Sequence, residues 1–312
     1  MTVEMDRVYD SDGNAQMLRN DFSKKGGEGA VYELRDLEGR LVKCYHSHVL
    51  QSRGTSVVEK VQAMMRVSEL REHNNLCWPR ISVYDVHGNW VGFAMIRAVG
   101  EKITNLASHR ARRERHFPGL KRDGLVAYLI LLLHQINELH QCQVMIGDYN
   151  TENIFCDPAS DRVMFIDCDG YQLGNRFMCI AMKEEMSPPE FIQTTSQRRC
   201  TVHTEIFSLA ILLFKVLMSG RHPYDIEGGS ACEENICKGF FAYGVGKYVP
   251  KGPWQALWDC LPDDLQKLFT KTFTVGSIVP LSRPLLPEWY AALCSYHEGL
   301  RNGRYDNTID TP

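Results

Sequence analysis

Long apolar runs and any strong excess of one charge sign are both missing from this 312-residue chain. No stretch approaches the roughly eighteen apolar residues that a membrane-spanning helix needs. The densest runs, Leu125–Leu133 and Leu209–Met218, are interrupted by His134 and Lys215 and read as buried helices. The opening MTVEMDRVYDSDG has early acids and no apolar core, so it does not read as a secretory signal. A net charge of −3 gives no global basic field, and bulk electrostatic binding to nucleic acid is not expected. Among 11 cysteines there is no CxxC pair; the nearest approach is Cys232 and Cys237. Cys44, Cys142, Cys156 and Cys168 lie in or beside apolar segments, so free thiols in a reducing cytoplasm are expected, not a disulfide framework or zinc site. Repeats and low-complexity stretches are absent as well, and only Asn302–Pro312 reads as a loose tail.

What remains is ordinary globular usage. Hydrophobic residues are 44% and charged residues 23%, which excludes a fibrous or largely disordered chain. The length suffices for one large domain or two modest ones. The first hundred residues read as β-rich with one helix. Ala30–Leu34 and Leu41–Tyr45 form a pair of strands around Gly39-Arg40, and Ile81–Val86 with Val91–Ile96 flank a hairpin turn at His87-Gly88-Asn89. Between the pairs, Val57, Val61, Met64, Met65 and Val67 recur at helical spacing over Ser56–Leu70. From Gly124 onward helices dominate, over Leu125–His140, Ile206–Met218, Leu265–Phe273 and Trp289–Tyr296.

Four segments carry chemistry. Lys24-Lys25-Gly26-Gly27-Glu28-Gly29-Ala30-Val31-Tyr32 places glycines between strands, where backbone N–H groups can approach phosphate oxygens; an ordinary glycine hairpin is the alternative. A dinucleotide fingerprint needs a helix directly after the glycines, and here a strand follows. Lys43 sits between Val42 and Cys44 on the next strand. It is either a snorkelling residue or one arm of an ion pair with a helix acid, Glu59 first and Glu69 second. In Met145–Phe155, Asp148 and Asn153 stand five residues apart ahead of an apolar strand, and Val163–Ile166 is another apolar strand that ends in Asp167-Cys168-Asp169-Gly170. Asp148, Asn153 and Asp167 supply one base and two hard oxygen ligands, as a magnesium–nucleotide site requires. Each alone is equally an Asx turn or loop cap.

Taken in order, these segments resemble the signature set of eukaryotic-type protein kinases. Gly26–Val31 is similar to the glycine-rich loop, Lys43 to the strand lysine, and Glu59 to its helix partner. Asp148 and Asn153 resemble the catalytic base and metal-binding asparagine, and Asp167 the metal-binding aspartate. Ser187-Pro188-Pro189-Glu190 resembles the close of the activation segment, with Arg283 as the partner of Glu190. Glu205–Ala210 and Ser219–Tyr224 match the central helix and its exit. The likeness covers residues 20 to 298. It implies an α+β, bilobal fold: a small β-rich lobe over 1–98 with one helix, a larger helical lobe over 99–300, and a short tail over 301–312.

The resemblance further implies an ATP- and Mg2+-dependent kinase acting on serine or threonine hydroxyls of a protein substrate. Asp148, Lys43 and Glu59 would be catalytic. Gly26, Gly27, Glu28, Gly29, Val31, Lys43, Met95, Arg97, Ala98 and Phe155 would contact the nucleotide, and Asn153 with Asp167 the metal. A nucleotide-binding scaffold without catalysis is the other reading. Phosphorylation of a small molecule fits less well with Pro189-Glu190 and Arg283. Departures are visible: Lys24 replaces the first glycine, Ile146-Gly147 the usual His-Arg, Asn150 a common lysine, and Glu205 the usual aspartate that supports the catalytic loop. Asp167-Cys168-Asp169 stands for Asp-Phe-Gly, with Asp169 a second candidate for the metal. The pattern is similar to a bacterial branch found beside von Willebrand A-type proteins and PP2C-type phosphatases, which implies these as partners, in cytoplasmic signalling or stress response. One further feature, His109–His116 continued by Lys121-Arg122, is a basic stretch that reads as a solvated helix face or a contact for an acidic partner.

Overall fold

A computed structural model describes residues 6–179, 182–194, 199–246 and 248–309. The chain is α+β and divides into two compact units. One runs through Val99 and takes in Met164–Asp169; the other comprises Gly100–Val163 and the chain from Gly170.

The first unit is built on a closed six-stranded barrel. Its strands are β1 (Arg7–Tyr9), β2 (Ala15–Lys25), β3 (Gly29–Leu34), β4 (Arg40–Tyr45), β5 (Ile81–Tyr84) and β6 (Trp90–Ile96), in the order β1-β2-β3-β4-β6-β5. All pairings are antiparallel, and β1 closes the ring on β5 at Tyr9 and Tyr84. Strand alternation sorts β4 into two faces. Val42 and Cys44 join Val8, Leu18, Leu34, Val83 and Val91 in one apolar cluster. Tyr45, flanked by Leu41, joins Val49, Val57, Val61, Cys77, Phe93 and Met95 in another. Lys43 shares the face of Leu41 and Tyr45 and lies opposite Val31 and Phe93. The β5–β6 turn is tied by Asp85, whose carboxylate accepts from the backbone of His87 and Asn89, while Gly88 adopts φ +80.

A further helix outside the expected span, α1 (Ser47–Arg53), comes first, and the helix expected over Ser56–Leu70 is two segments, α2 (Thr55–Met65) and α3 (Ser68–Arg71). Gly54, at φ +56, separates α1 from α2, and Val67 leaves helical geometry at ψ 88 before α3. The α2 face is set by the 3.6-residue period, with Val57, Lys60, Val61 and Met64 buried.

The second unit opens with β7 (Glu101–Lys102), α4 (Ile103–Leu106), α5 (Arg110–His116) and the long α6 (Arg122–Gln141). Short strands follow: β8 (Val144–Met145), β9 (Ile154–Asp157), β10 (Arg162–Phe165), within which the chain passes to the first unit, and β11 (Gln172–Leu173). The remainder is helical: α7 (Pro189–Ile192), α8 (Val202–Leu217), α9 (Cys232–Lys238), α10 (Trp254–Asp259), α11 (Asp263–Phe273), α12 (Val275–Ile278) and α13 (Leu286–Arg301). Helix α8 is buried on nearly every side, so it forms the axis of the unit. Its Phe214 meets Phe241, Tyr243, Trp258, Phe269 and Phe273, and Phe207 meets Tyr224 and Phe273.

Two expectations change here. The described part of the loose tail is docked: Asn307 accepts from the Arg122 and Asp123 backbone, Ile309 accepts from the Arg122 guanidinium at 2.9 Å, and Ile309 is buried. Residues 310–312 lie outside the described residues. The basic stretch is divided as well. Arg113 and Arg122 are buried and serve the fold, Arg113 by donating to the Ser108 carbonyl at 2.6 Å, while Arg110, Arg112 and Arg115 are exposed. No helix among the described residues is long and apolar enough to cross a membrane.

Candidate active site

In the first unit, Lys43 has two carboxylates at its ammonium. Its Nζ lies 2.8 Å from Asp167 Oδ1 and 2.8 and 2.6 Å from the two oxygens of Asp169. The acids arrive on Met164–Asp169, which is fastened by backbone bonds from Cys77 to Phe165 and from Phe165 to Asn75. Asp167 takes the left-handed conformation at φ +59, one that aspartate tolerates better than most residues. Burial alone would lower the Lys43 pKa, but Asp169 and then Asp167 outweigh it and push the ammonium up. Burial would likewise raise the Asp169 carboxyl; Lys43, the Tyr45 hydroxyl that donates to it and the charge of Lys60 hold it below the usual carboxylate range.

The two acids differ sharply in access. The Asp169 side chain is 1% exposed and that of Asp167 56%. Asp169 is enclosed by Lys43 and Tyr45, which take up its carboxylate oxygens. Asp167 fits a metal ligand: it presents a hard-oxygen carboxylate to solvent, and magnesium commonly uses one or two carboxylates plus phosphate and water.

Glu59 does not take the expected place. It is exposed on α2, and Lys43 is paired by Asp167 and Asp169 instead. One helical residue is a rotation of about 100°, and the buried stripe through Val57, Val61 and Met64 turns Lys60 inward in its stead. Sequence reasoning missed Lys60 and Tyr45. The same stripe pointed to the first, and the two-residue period from Lys43 pointed to the second.

The glycine turn joins β2 to β3, with Lys25 opposite Ala30 and the Gly26 N–H bonded to the Gly29 carbonyl at 2.8 Å. Gly29 is needed by the sheet, since a β-carbon there would stand 2.4 Å from the Cys44 carbonyl oxygen. At Gly27 a β-carbon would meet nothing within 4 Å, and at Gly26 only the Gly29 carbonyl oxygen at 3.7 Å. Glu28 is tied to Arg53 of α1 at 2.6 Å. Of the other expected nucleotide contacts in this unit, Val31 lies beside Lys43 in the sheet, Met95 is buried on β6, Arg97 pairs with Glu33 at 3.0 Å, and Ala98 packs on the α2-side apolar cluster.

In the second unit the loop bearing Asp148 is held from below by Glu205 of α8, which is 2% exposed. Its Oε1 accepts the Gly147 N–H at 2.6 Å, and its Oε2 accepts from Tyr149 Oη and meets His140 Nε2, both at 3.0 Å. The longer side chain thus reaches the loop backbone as expected for the residue in that place. Asp148 is half-buried, and its Oδ1 lies 3.4 Å from the Lys183 N–H. Asn150 opens a helical turn that ends at Asn153, its side chain accepting from Glu152 N–H at 3.1 Å. Glu152 is braced by Lys102 at 2.6 Å and Thr104 at 2.7 Å, and these bonds hold its carboxyl below the usual range. Phe155 follows on β9, opposite Lys102. Glu190 and Arg283 form the expected pair through two parallel bonds of 2.7 and 2.8 Å. Among the described residues no three His, Cys, Asp or Glu side chains converge as a metal cage.

Two known proteins are similar to this chain. The protein kinase YegI of Escherichia coli strain K12 is 27% identical over 310 residues, 95% of this chain and 47% of that protein. The protein kinase YegI of Escherichia coli O157:H7 is 27% identical over 284 residues, 86% of this chain and 43% of that protein. This chain therefore spans less than half the length of the curated relatives it matches. No family model matches it. The likeness, extending over nearly the whole chain, supports a protein-kinase-like family.

Proposed function

We propose that this chain is the catalytic domain of an ATP- and Mg2+-dependent protein kinase that phosphorylates serine or threonine hydroxyls, with the two-lobed kinase fold. The observation that carries the reading is the buried Lys43, whose ammonium is clasped by Asp167 and Asp169 within one unit. Lys43 orients the phosphates of the donor. The Gly26 N–H is spent on the Gly29 carbonyl and holds the turn, which leaves Gly27, where a β-carbon would meet nothing within 4 Å, as the place where phosphate oxygens can approach the backbone. Magnesium, when bound, neutralises charge on the transferring group, and Asp167 and Asn153 are the residues that would hold it. Asp148 accepts the hydroxyl proton of the substrate. Phosphoryl transfer depends on positioning and charge more than on covalent help from the protein, which suits a loop anchored from below by Glu205. Val31, Met95, Arg97, Ala98 and Phe155 are assigned to the nucleotide on the kinase likeness. So are cytoplasmic signalling and partners of von Willebrand A and PP2C type.

The test is transfer of labelled γ-phosphate from magnesium–ATP to the chain itself or to a generic acceptor, with phosphoamino-acid analysis. Wild-type transfer to serine or threonine that is abolished by Asp148→Ala is the expected result. Absence of transfer, together with tight ATP binding lost in Lys43→Ala, would replace this reading with the scaffold one.

A further inference from the structure

Two thiols meet over Gly147, the residue before Asp148, and we propose that Cys179 and Cys200 form a reversible disulfide, a modification site for peroxide-class oxidants. Gly147 is at φ +72, and a β-carbon there would stand 2.4 Å from Cys179 Sγ and 3.3 Å from Cys200 Sγ. Both sulfurs therefore occupy the space that glycine leaves open, and a hydrogen bond joins them. Cys179 Sγ also lies 3.7 Å from the Ile146 carbonyl oxygen.

The surroundings divide the roles. Cys200 is buried and clamped: its N–H donates to Gln172 Oε1 at 2.8 Å, and its carbonyl accepts from Gln172 Nε2 at 2.9 Å. Cys179 is half-buried and reachable by a small oxidant. The hydrogen bond to Cys179, burial and nearby Glu205 together push the Cys200 thiol up, and the more accessible Cys179 is the thiol that a small oxidant meets first. The Cys179 thiolate attacks peroxide: an S–O bond forms, the O–O bond breaks, and the departing hydroxide takes up a proton to become water. Cys200 then attacks the sulfenic sulfur. The S–S bond forms, the S–O bond breaks, and the Cys200 proton leaves with the second water. Two thiols are oxidised and one peroxide is reduced to two waters; an external dithiol reverses the step.

The bond would shorten a hydrogen-bonded contact to about 2.05 Å. Because Cys200 is clamped, Cys179 makes the movement, carrying the segment that touches Ile146 and Gly147 directly ahead of Asp148. Only the effect on catalysis rests on the kinase reading; formation of the bond does not.

The experiment treats the purified chain with hydrogen peroxide, blocks free thiols and maps non-reduced peptides by mass spectrometry. A Cys179–Cys200 linkage that dithiothreitol removes is expected. Transfer from magnesium–ATP should fall by roughly tenfold or more in the linked form and return on reduction, while Cys179→Ser keeps its activity through the same treatment. Oxidation of the exposed Cys260 without a Cys179–Cys200 linkage would overturn the proposal, and a linkage that leaves transfer unchanged would overturn its effect on catalysis. Should the untreated chain transfer no phosphate, the kinase reading fails, and the peptide map still decides the disulfide.

Discussion

Replacing Glu205 should separate the support of the Asp148 loop from the chemistry of Asp148 itself. The Glu205 carboxylate serves three donors at 2.6 to 3.0 Å: the Gly147 N–H, Tyr149 Oη and His140 Nε2. In Glu205→Ala all three lose their acceptor in a buried site. An orphaned buried donor costs about 1–3 kcal/mol, and a water entering the vacated space recovers part of this, so a loss of about 3–5 kcal/mol is expected. Glu205→Gln keeps the Oε1 acceptor for Gly147, while Tyr149 and His140 can each turn to accept from the new amide. Its cost should be near 1 kcal/mol, the difference between charged and neutral hydrogen bonds. Urea unfolding followed by tryptophan fluorescence, alongside phosphate transfer, reads both quantities. The expected order in stability and in turnover is wild type, Gln, Ala, with ATP affinity little changed in the Gln variant. If Glu205→Ala unfolds at the wild-type urea concentration, or the two variants lose equally, the acceptor role is wrong.

Other perturbations follow from the same geometry. Arg283 donates twice to Glu190 and also to the Gly276 and His203 carbonyls; Arg283→Ala should cost about 3–5 kcal/mol in urea unfolding, and Arg283→Lys should recover only part of it because an ammonium cannot reproduce the fork. Gly92→Ala would set a β-carbon 1.8 Å from the Lys43 carbonyl oxygen and should fail to give a cooperative thermal transition, whereas Gly27→Ala, which meets nothing, should melt like wild type yet raise the KM for ATP. Buried His222 donates from Nε2 to the Glu185 carbonyl and accepts the Tyr224 N–H at Nδ1, and burial pushes its pKa down to about 3 from 6.5. The unfolded chain takes up that proton first, so stability is full above the unfolded pKa and falls as pH drops toward the folded one. The loss should be about 2 kcal/mol by pH 5, and equal acid sensitivity in His222→Gln would refute the assignment.

Most of the elements could be read from periodicity, because burial and periodicity are two views of one constraint. The strands at Gly29–Leu34 and Arg40–Tyr45 and the helices α6, α8, α11 and α13 each lie within a few residues of the apolar pattern. Periodicity gave no sign that β1 closes a barrel, since closure depends on a single pairing between Tyr9 and Tyr84, far apart in the chain. The break at Val67 was hidden for another reason: one helical stripe continues across a short interruption, while α1, ahead of Gly54, lay outside the stripe altogether. Docking of the tail escaped notice because it relies on the Ile309 carbonyl and the Asn307 side chain, neither of which leaves a pattern. In the site, residues chosen by type and spacing came to lie on the expected strands and loops, but the choice of partner for Lys43 did not survive. Type and spacing say that an acid is required. Helical phase decides which residue faces inward, and there it selects Lys60.

That substitution has a physical logic of its own. A buried ammonium requires roughly balancing negative charge, and Lys43 already meets two carboxylates. A third acid turned inward from α2 would leave the group with a net negative charge beside the buried Asp169. A lysine there closes the balance at two cations and two anions, which agrees with the part its charge plays in holding Asp169 ionised. The arrangement transfers the anchoring of Lys43 from a helix to a segment two residues from Asp167, the acid that remains exposed. The positions of Lys43 and of Asp167 then depend on the same short stretch, Met164–Asp169.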